Sequence, residues 1–255
     1  MMKLKYNKKN TLKIIALIPA RGGSKGVKLK NLHLLGNKPL INWTIQAAKK
    51  ENIFDRIYVS SENKKILSLA KKNKINIHDR PKSFAGDKTT IFKTVRNFNK
   101  FLEKNRFKPD IIFVLEPTSP FRKEGILKKC LKIMLRKKLD SLATFVKSKT
   151  HPYRIWKIKG ENPSTYLKIK NYESWTPRQS LSNAYELDGT VYAFRNNKKF
   201  LKSKCFIFGK SYGLILNKKD NFDLTGTEID IKNDFEIAQI ALKKSTKKEK
   251  KAYGL

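Results

Sequence analysis

IIALIPARGGSKGVKLKN, residues 14 to 31, decides how the rest of the chain is read. Ile14 to Ile18 form an apolar run long enough for one buried strand. Pro19 breaks it into a loop carrying Arg21, Gly22, Gly23, Ser24, Lys25 and Gly26, then Lys28, Lys30 and Asn31. Glycines let a backbone turn with its N–H groups facing one concavity, and the flanking Arg and Lys supply charge against a polyphosphate. The loop has neither the G-x-x-x-x-G-K-[ST] nor the G-x-G-x-x-G spacing, so both standard phosphate fingerprints are excluded and a third solution is expected.

Working outward, apolar periodicity switches repeatedly between helix and strand. Pro39 opens a helix with Leu40, Ile41, Trp43, Thr44, Ala47 and Ala48 inward, ending near Asn52. Ile57 to Val59 read as a strand, and Asn63 caps a helix through Lys72. Ile75 and Ile77 suggest a short strand before the polar loop His78 to Asp87, and Phe92, Val95, Phe98 and Leu102 share one helix face. Asp110 to Leu115 is the clearest buried strand, running into a loop stiffened by two prolines, Glu116 to Arg122. Ile126, Leu127, Cys130, Leu131 and Met134 mark another helix, and Ser141 to Val146 another strand. Such alternation predicts a three-layer α/β/α sandwich around a mostly parallel, Rossmann-like sheet. Ligands of such sheets lie beyond the carboxyl ends of the strands, where the loops at Arg21, Ser60, Arg80 and Glu116 all fall.

From Lys147 to Leu187 the alternation fails, and this stretch reads as a β-rich excursion that covers the site or dimerises. Gly189 to Phe194 returns as a strand, the regions of Ile207 and Gly213 to Leu216 supply two more, and Glu228-Ile229-Asp230 precedes a last helix from Asn233 to Leu242. The expected organisation is one domain, residues 13–242, with 147–187 as its excursion and 243–255 as a basic, fraying tail.

Lys+Arg 58 against Asp+Glu 21 leaves a formal charge of +37. The excess is mostly Lys spread along the whole chain, which favours a solvated surface over specific nucleic-acid binding. Two cysteines, Cys130 and Cys205, offer neither a disulfide framework nor metal-ligand spacing, and no run approaches the ~20 apolar residues of a spanning helix. A cytoplasmic protein without membrane insertion is expected. His33, His78 and His151 are too dispersed for a triad.

IPARGGSKGVKLKN (18–31), RPKSFAGD (80–87), EPTSPFR (116–122), His151-Pro152, PRQSL (177–181), DGTVY (188–192) and EIDIKNDF (228–235) together resemble the acylneuraminate cytidylyltransferases, or CMP-sialic acid synthetases, a family whose members also act on legionaminic and pseudaminic acids. The resemblance implies a nucleotide-diphospho-sugar-transferase type of fold. It further implies transfer of CMP from CTP to a nine-carbon 2-keto acid sugar with release of pyrophosphate, dependence on Mg²⁺ (or Mn²⁺), and a homodimer in which the excursion reaches the partner's site. By the same resemblance Arg21, Ser24, Lys25 and Lys30 hold the triphosphate, with Arg21, Lys25 and Lys30 as catalytic cations; Asn31 and Arg80 meet the nucleotide, and Ala20 and Gly22 offer backbone groups to the cytosine.

Glu228 and Asp230, two residues apart, are placed to share a hard cation; the alternative is an acidic cluster at the start of the last helix, together with Asp234. The resembling family usually has Asp at position 228. It usually has Gln at 116, where Glu116 is an acceptor-only carboxylate beside the sugar, and its sialic-acid-specific members carry Arg near Glu186. The sugar carboxylate then falls to Arg178 or Arg154, and Glu116, Arg154, Arg178 and Gln179 are the expected sugar contacts. These departures point to legionaminic or pseudaminic acid rather than ordinary sialic acid. The alternatives are another sugar acid such as ketodeoxyoctonate, or a non-catalytic basic nucleic-acid-binding protein.

Overall fold

The computed structural model describes residues 12–24, 26–167, 175–217, 223–246, 250 and 252–253. In chain order the elements are β1 (Ile14–Pro19), β2 (Leu34–Leu35), β3 (Lys38–Pro39), α1 (Leu40–Glu51), β4 (Arg56–Ser61), α2 (Lys64–Lys72), β5 (Asn76–Asp79), α3 (Ile91–Lys104), β6 (Ile111–Val114), α4 (Ile126–Arg136), β7 (Ser141–Lys147), β8 (Trp156–Lys159), β9 (Asn162–Thr165), β10 (Tyr185–Arg195), α5 (Lys198–Lys202), β11 (Ser211–Ile215) and α6 (Lys232–Lys244). Among the described residues, seven strands form one sheet in the order β11-β7-β10-β6-β1-β4-β5. β1, β4, β5 and β6 run parallel, β11 is parallel to β7, and β10 alone is antiparallel to its neighbours β6 and β7.

β1 shows why three layers form. Its side chains alternate across the sheet: Ile14, Ala16 and Ile18 pack with Ile41 and Ile45 of α1, Ile66 of α2 and Leu131 and Met134 of α4. Ile15 and Leu17 pack on the other face with Val95, Phe98 and Leu102 of α3. A strand apolar on both faces requires a layer on each side. A third cluster joins α6, through Phe235, Ala238 and Leu242, to Leu40, Trp43 and Phe121. Local signals set the helix ends: Asn63 Oδ1 accepts from the Lys65 and Ile66 N–H groups, Thr90 Oγ1 accepts from Lys93 N–H, and α1 stops at Asn52 in the left-handed region, φ 49°.

Three expectations need correction. β10 begins at Tyr185 rather than Gly189, because Tyr185 to Leu187 pair with Lys147 to Phe145 as the chain leaves the excursion. The Ile207 region is not a strand. There Ser141 Oγ donates to Phe208 O (2.8 Å) and accepts from Phe208 N–H (2.9 Å), while Asp140 accepts from Lys210 N–H (2.8 Å), so side chains satisfy the backbone in place of a ladder. Finally, the fraying tail over 243–255 does not hold at its far end. α6 continues to Lys244, and Tyr253 returns to pack edge-on against Phe121 at 5.7 Å and to donate to Asp223 Oδ1 at 2.7 Å.

Candidate functional site: a cleft with a cationic and an acidic wall

β1, β4, β5 and β6 all end on the same side of the sheet, and the loops that leave β1, β5 and β6 surround a cleft of about 330 Å³. It is lined by Arg21, Ser24, Lys30 and Asn31 from the glycine-rich loop, Arg80 after β5, residues 84–87 and 89–91 and Thr94 before and at the start of α3, Glu116 to Thr118 after β6, and Glu228 and Asp230 before α6.

The cationic wall comes from the glycine-rich loop and β5. Arg21 Nη1 donates to Asp87 Oδ1 at 2.9 Å, a pair left open to solvent, with side chains 37% and 48% exposed. Asn31 is buried; its Nδ2 donates to the Arg21 carbonyl at 2.9 Å, which fixes the loop's first turn, and its Oδ1 is buried with no hydrogen-bond partner among the described residues. An orphaned buried acceptor in a cleft wall is a feature that a ligand's N–H would satisfy. Arg80 is buried against Glu62, its Nε and Nη2 donating to Oε2 at 3.1 and 2.9 Å. Ala20 and Gly22 have committed their N–H groups, to Ser60 O (2.9 Å) and to Glu62 Oε1 (2.6 Å), which confines any backbone contribution to a base to their carbonyl oxygens. Lys25 lies outside the described residues.

The acidic wall is assembled by long-range contacts. Ile229 is fully buried and its N–H donates to Thr118 O at 2.8 Å, which ties the segment before α6 to the loop after β6 and brings Glu228 and Asp230 into the cleft beside Glu116. Burial first, then Glu228, pushes the Glu116 carboxyl up to about 7; burial first, then Asp230, pushes Glu228 up to about 7 as well. The Tyr192 hydroxyl donates to Glu116 and steadies its charged form. Asp234 belongs to the helix instead, since its Oδ2 accepts from the N–H groups of Asp230 (2.7 Å) and Ile231 (2.8 Å).

Beneath this wall sits Arg122. Fully buried, and lowered to about 10 by that burial, it donates to Thr190 O (2.8 Å), Thr44 Oγ1 (2.8 Å), Ser119 O (2.5 Å) and Glu116 O (2.7 Å). It thereby staples the loop after β6 to the bulge in β10 at Asp188-Gly189. Gly189 has φ +67°, and a Cβ there would stand 2.8 Å from Ser119 Oγ, so both conformation and space demand glycine.

The residues present fit a divalent cation. The acidic residues at Glu186 and Asp188 add to the charge felt by Glu228, so a chain of formal charge +37 concentrates carboxylates at one place. Among the described residues no three His, Cys, Asp or Glu side chains are arranged as a complete ligand set. Glu228 and Asp230, both lining the cleft, are the two carboxylates that could hold an ion of the Mg²⁺ type, which takes one or two from a protein. Lys30 Nζ, 2.6 Å from Asp230 Oδ1, joins the two walls.

The structure does not bring the excursion residues to this cleft. Arg154, Arg178 and Gln179 are exposed on short turns and are not among its lining, and Arg178 Nη2 donates to Lys149 O at 2.8 Å. Sequence reading assigned no role to Glu62, Asp87, Arg122 or Tyr192. Arg122 and Tyr192 sit inside two of the motifs, but nothing local marks them: Tyr192 meets Glu116, and Arg122 meets distant Thr44 and Thr190 as well as nearby Glu116 and Ser119.

A cytidylyltransferase family model matches residues 15–225, from β1 to the approach to Glu228. The chain belongs to the cytidylyltransferase family. Among relatives of the chain, the N-acylneuraminate cytidylyltransferase of Streptococcus agalactiae serotype V is 26% identical over 226 residues, covering 88% of this chain and 52% of that protein. The CMP-N,N'-diacetyllegionaminic acid synthase of Legionella pneumophila is 28% identical over 208 residues, covering 81% of this chain and 88% of that one. The chain spans about half the length of the N-acylneuraminate cytidylyltransferases first matched. In fold it is similar to a CMP:2-keto-3-deoxy-manno-octonic acid synthetase solved with CTP, with a TM-score of 0.63 at 14% identity, covering 91% of this chain and 98% of that one. Among the described residues no helix is long and apolar enough to cross a membrane.

Proposed function

We propose that this chain transfers CMP from CTP to the anomeric hydroxyl of a nonulosonic acid, releasing pyrophosphate, with Mg²⁺ or Mn²⁺ held by Glu228 and Asp230. The observation that carries this reading is the cleft itself: a cationic wall of Arg21, Lys30 and Arg80 faces a carboxylate wall of Glu116, Glu228 and Asp230 across a space open to a nucleotide. The hydroxyl gives up its proton, the α-phosphorus gains the anomeric oxygen, and pyrophosphate leaves with the bond electrons. Charge neutralisation and positioning dominate such a transfer. Arg21, Ser24 and Lys30 hold the triphosphate and offset its growing charge. Glu228 and Asp230 would hold the cation, which when bound would supply positive charge against the triphosphate and make the attacking hydroxyl more acidic.

Legionaminic or pseudaminic acid is the favoured acceptor. Glu116, steadied by Tyr192, presents an acceptor to a hydroxyl or amide donor, and by the family resemblance Glu186 stands close to where sialic-acid-specific members have Arg. The similarity to the Legionella CMP-N,N'-diacetyllegionaminic acid synthase supports this acceptor. The working form is a homodimer. Ile158 (72% exposed) and Trp175 (80% exposed) leave the excursion apolar and uncovered, and Arg154, Arg178 and Gln179 would meet the sugar carboxylate in the partner's cleft. The free thiols Cys130 and Cys205 support a reducing, cytoplasmic setting. The test is pyrophosphate release from CTP and Mg²⁺ with a panel of keto acid sugars. Turnover on the legionaminic or pseudaminic acid above N-acetylneuraminic acid is the expected result; release with none of the panel defeats the reading.

A further inference from the structure

Glu62 is an acidic residue directly behind an anion-binding wall, where a carboxylate should be unwelcome. Both of its oxygens are in use: Oε1 accepts from the Gly22 N–H at 2.6 Å, and Oε2 accepts from Arg80 Nε and Nη2 at 3.1 and 2.9 Å. The Arg80 and Glu62 side chains are only 4% and 12% exposed, whereas the other arginine of that wall, Arg21, has an open pair with Asp87. Arg80 lines the cleft and Glu62 stands behind it, outside the lining.

The same corner is closed from below. A Cβ on Gly22 would lie 2.6 to 3.0 Å from the Asn63 side chain, the group that caps α2. The Arg80 N–H also donates to Ser61 O at 3.1 Å. One carboxylate at the β4–α2 junction thus connects the ends of three parallel strands: β1 through Gly22, β4 through its own backbone and β5 through Arg80.

We infer that Glu62 is a positioning residue that sets the Gly22–Arg80 corner of the nucleotide site and, through it, discrimination between nucleobases. This rests on the cytidylyltransferase reading above. A charge-assisted pair leaves a guanidinium little freedom, and a base is read only by groups already in place. Glu62→Gln keeps the shape and can still accept the Gly22 N–H, but loses the anionic partner of Arg80. Its effect on triphosphate attraction as such is shared equally by CTP and UTP, which carry the same charge. The ratio of their affinities therefore isolates positioning from electrostatics.

The experiment is calorimetric titration of the wild-type chain, Glu62→Gln, Arg80→Lys and the double variant with CTP and with UTP, alongside thermal unfolding. The expected result is a wild-type preference for CTP that falls about tenfold in Glu62→Gln, in a chain that still unfolds cooperatively although at a lower midpoint because buried Arg80 has lost its anionic partner, and an effect of the double variant well below the product of the two single effects. A CTP-to-UTP ratio within about twofold of wild type, fully independent effects in the double variant, or a Glu62→Gln chain that does not fold would each overturn the inference while wild-type CTP binding stands. A wild type that binds neither nucleotide removes the cytidylyltransferase reading, and this inference with it.

Discussion

Lys30 Nζ lies 2.6 Å from Asp230 Oδ1, so a residue of the first loop closes an ion pair with one 200 positions later, across the cleft that separates the cationic and acidic walls. Lys30 is nearly buried and Asp230 is more than half exposed. The contact is therefore anchored on the lysine side and open on the carboxylate side. Asp230→Asn should raise the Mg²⁺ concentration for half-maximal activity by about tenfold or more. A metal titration of turnover measures this; an unchanged midpoint removes Asp230 from the ligands.

Arg21 and Asp87 form a solvent-exposed pair, and such pairs contribute roughly 0–1 kcal/mol to stability. Arg21→Ala should therefore leave the denaturation midpoint almost in place while turnover drops by about a hundredfold or more, the scale for losing one group that stabilises developing charge. A large loss of stability would instead make Arg21 structural.

Arg122 behaves oppositely. Removing a buried guanidinium strands the carbonyl oxygens of Glu116, Ser119 and Thr190 in a dry interior. Arg122→Ala should cost about 3–5 kcal/mol in urea unfolding. Arg122→Lys should recover only part of this, because an ammonium cannot reproduce the planar fork.

Acid should weaken the fold through His78. Its Nδ1 is 2.9 Å from Ser60 Oγ in a buried, phenylalanine-lined position; burial and the nearby Arg80 push it down to about 4 from 6.5. Between those pH values the unfolded chain binds more protons than the native one. The contribution is intact above pH 6.5, declines as the pH falls towards 4 and changes no further below, for a total of about 3 kcal/mol. His78→Gln should flatten that part of the stability curve relative to wild type, measured by urea unfolding at a series of pH values.

The sheet and its helices were legible because local apolar periodicity reports local structure. β1, β4 and β6 are apolar runs and α2, α3 and α4 are amphipathic, so the position of the cleft followed from where parallel strands end. The reversed direction of β10 was not legible, since strand direction is set by neighbours such as Phe113 and Ala143 that are remote in sequence. Arg122 and Glu62 escaped notice for a related reason. A charged residue followed by ordinary sequence looks solvated until its distant partners are known, 18 positions away for Glu62 with Arg80 and 78 for Arg122 with Thr44. Tyr253 was lost inside a lysine-rich tail whose composition argues for solvent, although a single ring suffices to dock it on Phe121.

The antiparallel pairing of Tyr185 with Lys147 carries a consequence for how this molecule diversifies. Whatever leaves the sheet after residue 147 re-enters it at the adjoining rung, so everything between those rungs is a cassette whose two ends are held together by the sheet itself. Lengthening or rewriting such a cassette alters closure entropy only logarithmically and leaves the strands that end at the cleft undisturbed. Residues 148–184 can thus change while the strands that carry the cleft stay as they are, and grafting that segment from a relative should leave the sheet intact.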